Sequence, residues 1–172
     1  SFFPMVKVFR REPTLKLLDG RHIRIDFIVR NSTGLLYLIE VDENQHKEHA
    51  YYTVENDQKR MLDINNALTV AHPGENMVWV RFNPDGFQVG GQTQRTDKLK
   101  RYWLLDKYIL QNDDLSNMVP RIAVKIDGKE YTQTIGLVYM FYDMDVNGKT
   151  LLTLNEDFML PNHLIDLKIE EI

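Results

Sequence analysis

With 43% hydrophobic and 27% charged residues over 172 positions, the chain has ordinary globular composition and is long enough for one sizeable core. It contains no cysteine, which excludes disulfide frameworks, thiolate zinc sites and cysteine nucleophiles, so any metal must sit on oxygen or imidazole. The formal charge of −4 argues against a protein that coats nucleic acid generically, but it is uneven: 16 Lys/Arg against 14 Asp/Glu give +2 over 1–111, and 5 against 11 give −6 over 112–172. A polyanion, if bound, is expected on the first part.

No stretch approaches the roughly 18 uninterrupted apolar residues of a membrane span, and the start lacks the pattern of a signal peptide. A soluble, intracellular protein is expected, either nuclear or cytoplasmic. The chain begins at Ser1 rather than methionine, as expected of a piece of a longer protein.

Taken in order, Arg21 to Val29 alternates, with Ile23, Ile25 and Phe27 on one side and His22, Arg24 and Asp26 on the other, the period of a half-buried strand. After a turn at Asn31-Ser32-Thr33-Gly34, the apolar run Leu35–Ile39 predicts a central strand that delivers Glu40, Val41 and Asp42 at its end. The resulting hairpin brings Asp26 close to Glu40. From Tyr52 to Leu68 the period becomes helical, with Met61, Ile64 and Leu68 on one face, and His72-Pro73-Gly74 ends the helix. Met77–Phe82 is a further buried strand, stopped by Asn83-Pro84-Asp85-Gly86.

A loop around Gly90-Gly91 leads to Thr96, which predicts an N-cap for a helix bearing Leu99, Tyr102, Trp103 and Ile109. Beyond Asn112-Asp113-Asp114 the runs become short and alternating, with hairpin turns expected at Asp127-Gly128 and Asn147-Gly148. The expected organisation is an α/β core over 1–111 and a β-rich antiparallel extension over 112–172 packed on it.

Asp26, Glu40, Asp42, Gln45 and His46 form the densest set of metal ligands and proton-transfer groups in the chain. Carboxylates converging at strand ends repel one another and raise their pKa values unless a cation compensates, so the set predicts a hard divalent ion, Mg²⁺ in the first instance. Such an ion lowers the pKa of bound water and stabilises charge on a phosphodiester oxygen. The competing reading of these acids is a solvated loop.

Arg24-Ile25-Asp26-Phe27, the apolar strand, Ile39-Glu40-Val41-Asp42-Glu43-Asn44-Gln45-His46, the helix with Asp57-Gln58-Lys59-Arg60, and Val78–Asp85 resemble, in order and spacing, one group of PD-(D/E)XK nucleases. That group is related to very-short-patch repair endonucleases and includes versions from large DNA viruses and eukaryotes. The resemblance covers residues 20–87, about two fifths of the chain, and its most specific part runs from Ile39 to His46. It implies a restriction-endonuclease-like mixed central sheet flanked by helices. It also implies that Asp26 and Glu40 are metal ligands, that the Val41 carbonyl completes the shell, and that Asp42 is the second acid of the motif; Asp42 is expected to hold metal with Asp26 and Glu40. Gln45 and His46 match the family's Gln-His pair, which would position water or the scissile phosphate. Where the wider class has lysine, two residues after the glutamate, this chain has Asp42, so that role passes to a second metal, Gln45, His46 or Lys47. DNA as substrate rests on the resemblance alone.

Lys47, Lys59, Arg60 and Arg81 are candidate contacts to a nucleic-acid backbone, although Arg60 has Asp57 and Asp63 as alternative partners on its own helix. Tyr102, Trp103 and Tyr108 are expected to pack in the core rather than to stack on bases. Glu12 is a weak candidate for an additional acid, because Pro13 spoils a helical context.

The expectation is therefore an endonuclease dependent on Mg²⁺ or Mn²⁺ that hydrolyses DNA phosphodiester bonds, with a homodimer as the arrangement that would cut both strands. The rival is a nuclease-fold module that binds nucleic acid or assembles with protein and has lost its chemistry. Acids pointing apart, or one facing the core paired to an arginine, would favour the rival. An enzyme of small phosphate esters would instead require a closed pocket at the acids.

Overall fold

The computed structural model describes residues 6–46, 53–111, 121–152 and 165–167. Lys47 and the side chain of His46 lie outside what is described, as does Asn112-Asp113-Asp114, where the character of the sequence changes. The central feature is a mixed sheet. Its strands are β1 (Val6–Arg11), β4 (Phe27–Asn31), β5 (Leu36–Val41), β6 (Met77–Phe82), β10 (Lys129–Met140), β9 (Arg121–Ile126) and the short β11 (Ile165–Leu167), in that spatial order. Two small hairpins, β2 (Thr14–Lys16) with β3 (His22–Arg24) and β7 (Phe87–Val89) with β8 (Gln92–Gln94), stand beside it. The helices are α1 (Val54–Ala71) and α2 (Lys98–Gln111).

Strands β5 and β6 are buried along almost their whole length and pair in parallel. This explains why both read as continuous apolar runs, since each face meets its own core. Leu36, Leu38, Met77 and Trp79 join Met61 and Ile64 of α1 on one face; Tyr37, Ile39, Val78, Val80 and Phe82 join Ile109 of α2 on the other. Helix α1 starts where Thr53 Oγ1 accepts the Asn56 N–H at 3.1 Å, with Glu55 and Asp57 at the positive end of its dipole. It ends at His72, as the sequence indicates.

Several expectations change. The predicted strand through Arg21–Val29 is two strands broken at Ile25-Asp26, because Ile25 turns fully into the core. The loop around Gly90-Gly91 is itself the turn of the β7–β8 hairpin. At α2, Asp97 rather than Thr96 caps, accepting the Leu99 N–H at 3.0 Å, while the Thr96 carbonyl takes the Arg101 guanidinium. Of the α2 aromatics, Tyr108 does pack, edge-on against Tyr37, but Trp103 is 57% exposed and carries Lys107 over its ring.

The largest difference concerns the C-terminal part. The hairpin β9–β10 turns at Asp127 and Gly128, both with positive φ, as an Asp-Gly two-residue turn requires. Strand β10, however, pairs in parallel with β6, so this segment completes the central sheet instead of lying on it as an antiparallel extension. No helix among the described residues is long and apolar enough to cross a membrane.

Candidate functional site

Alternation within the sheet builds the site. On the α1 face, the apolar columns Leu36, Leu38 and Met77, Trp79 continue into Glu40 and Arg81, which are register partners. Arg81 is in turn opposite Tyr139 of β10. On the other side, Phe27 faces Ile39, so Asp26 comes level with Glu40, and its Oδ2 accepts the Val41 N–H at 2.8 Å. One transverse row, Asp26, Glu40, Arg81 and Tyr139, thus crosses the carboxyl ends of the three neighbouring parallel strands β5, β6 and β10. Open α/β sheets place ligands at such strand ends.

The outer half of the row is Asp26 and Glu40 with Arg60 of α1. Arg60 Nη1 donates to Glu40 Oε1 at 2.6 Å, and its Nη2 donates to the Arg24 carbonyl. Only 10% of the Glu40 side chain is exposed. Burial pushes its carboxyl up to about 7; Arg60 opposes the shift and the nearby charge of Asp26 adds to it.

The inner half is a closed charge cluster. Arg81 Nε and Nη2 grip Asp42 Oδ2 and Oδ1 at 2.7 and 2.8 Å, Nη2 also reaches Asp57 Oδ2 at 2.8 Å, and the Tyr142 hydroxyl donates to Asp42 Oδ2. Asp42 is 1% exposed and Arg81 2%. Burial disfavours the Arg81 charge, but Asp42 and Asp57 outweigh it and hold its pKa above the usual value. Burial raises the Tyr142 hydroxyl and the Asp42 charge raises it further, so it stays a donor; burial pushes Tyr139 up to about 12.

Tyr142 reaches this cluster through a backbone irregularity. Phe141 has φ 64°, a left-handed conformation uncommon for a bulky residue, so Met140 and Phe141 both pack on the α2 side and Tyr142 returns to the α1 side. The fully buried Asn83 braces the kink by donating from Nδ2 to the Phe141 carbonyl at 2.8 Å. This gives the Asn83-Pro84-Asp85 turn a role beyond stopping β6.

The residues singled out from sequence therefore separate. Asp26 and Glu40 are brought together, and the backbone N–H of Val41 binds Asp26. Asp42 is not presented beside them, because both its oxygens are committed to Arg81. Arg81 is corrected from a phosphate contact to a buried structural cation. Arg60 is held by Glu40 rather than by Asp57 or Asp63. Gln45, at φ 53°, spends its amide on Asp143: Nε2 donates to Asp143 Oδ1 at 3.0 Å and Oε1 accepts the Asp143 N–H at 2.9 Å. That side chain ties the 3-10 turn Glu43–His46 to the segment after β10. Lys59 is exposed on α1. Glu12 lies beside the row, its N–H donating to the Asp26 carbonyl at 2.7 Å.

Sequence reasoning missed Asp57, Tyr139, Tyr142 and Asp143. The only available signal for the last three was the alternation of Leu137 and Tyr139 before a Tyr-Asp pair. Its meaning depends on a parallel pairing that leaves no local trace.

Among the described residues, no group of three or more His, Cys, Asp or Glu side chains converges to hold a metal. Asp26 and Glu40 are two carboxylates level with one another in the row. Asp26 spends Oδ2 on Val41 and Glu40 spends Oε1 on Arg60, which leaves one oxygen on each. This donor set suits a hard cation such as Mg²⁺, which commonly takes one or two carboxylates and keeps water in its remaining positions. Among the cavities formed by the described residues, one of about 700 Å³ lies at the opposite strand ends, lined by residues including Thr33, His72 and Glu75. Another, about 470 Å³ and apolar, lies under α2 between Phe9, Phe27 and Tyr102. Neither is lined by Asp26 or Glu40, so neither is the closed pocket that an enzyme of small phosphate esters would need at these acids. Comparison with protein-family models, with characterised proteins and with solved structures finds no match for this chain.

Proposed function

We propose that the chain is a metal-dependent nuclease domain of the restriction-endonuclease-like class, hydrolysing phosphodiester bonds in DNA at the Asp26–Glu40 pair. The observation that carries this reading is the buried Glu40, shifted to about 7 beside Asp26 at the carboxyl ends of the parallel strands. A protein has little reason to hold a carboxylate in so unfavourable a place unless a cation or a proton is to meet it there. Asp26 and Glu40 would hold Mg²⁺ or Mn²⁺, which when bound supplies charge stabilisation on phosphate oxygen and a more acidic water. The chain's own contribution is to fix the two acids. The Val41 N–H orients Asp26, and Arg60 fixes Glu40 through Oε1, so that the remaining oxygen of each acid would be the one to hold the ion. Tyr139 and the closed inner cluster form a rigid wall behind them. A two-fold homodimer would present one such site to each DNA strand.

A second reading, the inactive module that binds nucleic acid or assembles with protein, is favoured by a specific observation. Asp42 faces the core paired to Arg81, the arrangement that from sequence would favour the rival. Asp42, however, stands where the class carries its lysine, and its loss as a ligand leaves Asp26 and Glu40 in place. The test is incubation of the purified chain with plasmid DNA in Mg²⁺, Mn²⁺ or EDTA. Metal-dependent nicking, lost in Asp26→Ala and Glu40→Ala with folding intact, is expected; no cleavage in any metal supports the inactive module.

A further inference from the structure

Hairpin β2–β3 has two unlike faces. Leu15 and Ile23, register partners, pack against the α1-side core. Thr14 pairs with Arg24 and Lys16 with His22, and all four are exposed on the outward side. The hairpin runs directly into the row, since Arg24 precedes Asp26 by two residues and its carbonyl anchors Arg60. Beside it, the edge strand β1 ends in the exposed Arg10 and Arg11; Arg10, opposite Ile28, is on the α1 face with the acids, and Arg11, opposite Phe27, is on the α2 face.

Residues 10–24 hold five Lys/Arg (Arg10, Arg11, Lys16, Arg21, Arg24) against two acids (Glu12, Asp19), a local +3 in a chain of −4. Asp19 and Asp63 are both spent on Arg21. No ion pair among the described residues engages Arg10, Arg11, Lys16 or Arg24. Three arginines elsewhere are closely answered, Arg30 by Glu75, Arg60 by Glu40 and Arg81 by Asp42 and Asp57, while Arg101 is held by backbone carbonyls of Thr96 and Asp85 and Arg95 has no ion pair among the described residues. A run of unanswered cations leading to two acids is a surface arranged for an anion that extends beyond one residue.

We propose that the outward face of β2–β3, through Lys16 and Arg24 and continued by Arg10, is the surface on which a DNA backbone lies as it approaches Asp26 and Glu40. The inference rests on the nuclease reading for its choice of partner, because the ridge ends at the acids proposed to act on a phosphodiester. The two cross-strand pairs are two residues apart, about 7 Å along a strand, which corresponds to about two nucleotide steps of a duplex strand along its axis. Arginine adds bidentate contact to phosphate, and lysine a flexible point charge. The sequence-derived contacts Arg60 and Arg81 are committed internally, so this ridge takes the place they were expected to fill.

The test is the anisotropy of a labelled duplex of about 20 base pairs across a KCl series, with Ca²⁺ in place of Mg²⁺. The Lys16→Glu/Arg24→Glu protein is compared with Lys100→Glu/Lys107→Glu, which makes the same charge change on α2. The hairpin variant is expected to bind about 10-fold or more weakly, with a log–log salt slope shallower by about 2, given about 0.9 per phosphate contact. The α2 variant should stay within about two-fold of the parent. Equal losses in both, no loss in the hairpin variant, or a parent chain that prefers anionic vesicles to the duplex overturns the proposal. Cleavage of the same duplex in Mg²⁺ reports the acids separately. Binding through the hairpin without cleavage keeps this surface and removes the nuclease; cleavage with unaltered hairpin-variant binding does the reverse.

Discussion

The outer cluster of Asp26, Glu40 and Arg60 and the inner cluster of Asp42, Arg81, Asp57 and Tyr142 share one face and one set of strand ends, yet their charges are met very differently. In the inner cluster Asp42 is gripped end-on by a guanidinium and capped by a hydroxyl, with solvent excluded from both partners. In the outer cluster Glu40 has a single ion pair to a partly exposed arginine and a second carboxylate nearby that raises it. A buried pair held by two hydrogen bonds is a strut, even with Arg81 Nη1 left without a partner, because removing either member leaves a bare charge in the core. An under-answered pair leaves a buried carboxyl whose ionised form is disfavoured. Two acids separated by one residue in sequence thus do different work, and spacing alone does not say which is which.

Substitutions should separate the halves, the largest effect coming from the strut. Arg81→Met strands Asp42 and Asp57 and is expected to cost about 3–5 kcal/mol in urea unfolding. A cost below about 1 kcal/mol would show that the inner cluster is not a clamp. Glu40→Gln should act in the opposite direction. The Glu40 carboxyl sits at about 7 in the folded chain against 4.5 in its ordinary state, so the folded form holds its proton more tightly. Its ionisation therefore erodes stability as pH rises from about 4.5 to about 7, and the loss is complete above that. The Gln variant is expected to be more stable than the parent at pH 8, by up to ~3 kcal/mol, and equal to it below pH 4. A variant less stable at both pH values would mean that the Arg60 pair outweighs burial.

Tyr142→Phe deletes the hydroxyl donor to a buried carboxylate and should cost about 2 kcal/mol, with no change in any metal-dependent activity. Smallest is Gln45→Ala, which unties the 3-10 turn from Asp143 and should cost about 1 kcal/mol while leaving turnover within a few-fold. A loss of turnover of about 100-fold at unchanged stability would instead return Gln45 to the water-positioning role that its sequence neighbourhood suggests.

The elements that were readable from sequence are those with local causes. Strand β6 and the end of α1 followed from an apolar run and from His-Pro-Gly; the Asp127-Gly128 turn followed from positive φ. The meeting of Asp26 and Glu40 followed from hairpin alternation. What was not readable depends on partners far away in the chain. Parallel pairing of β10 with β6 carries no turn signature, so Tyr139, Tyr142 and Asp143 could not be brought to the site. The fate of Asp42 was settled by Arg81 and Tyr142, 39 and 100 residues away. Trp103 shows the converse error, since helical spacing marks a face but does not say that anything covers it.

The measurement that bears most directly on the central claim is Mn²⁺ binding by calorimetry to the parent chain, Asp26→Asn and Glu40→Gln, each checked for an intact melting transition. One Mn²⁺ site in the parent, lost or weakened at least about 10-fold in both variants, is the predicted result. No site in the parent, or a site that both variants keep unchanged, would contradict it and leave the row a structural feature of the sheet.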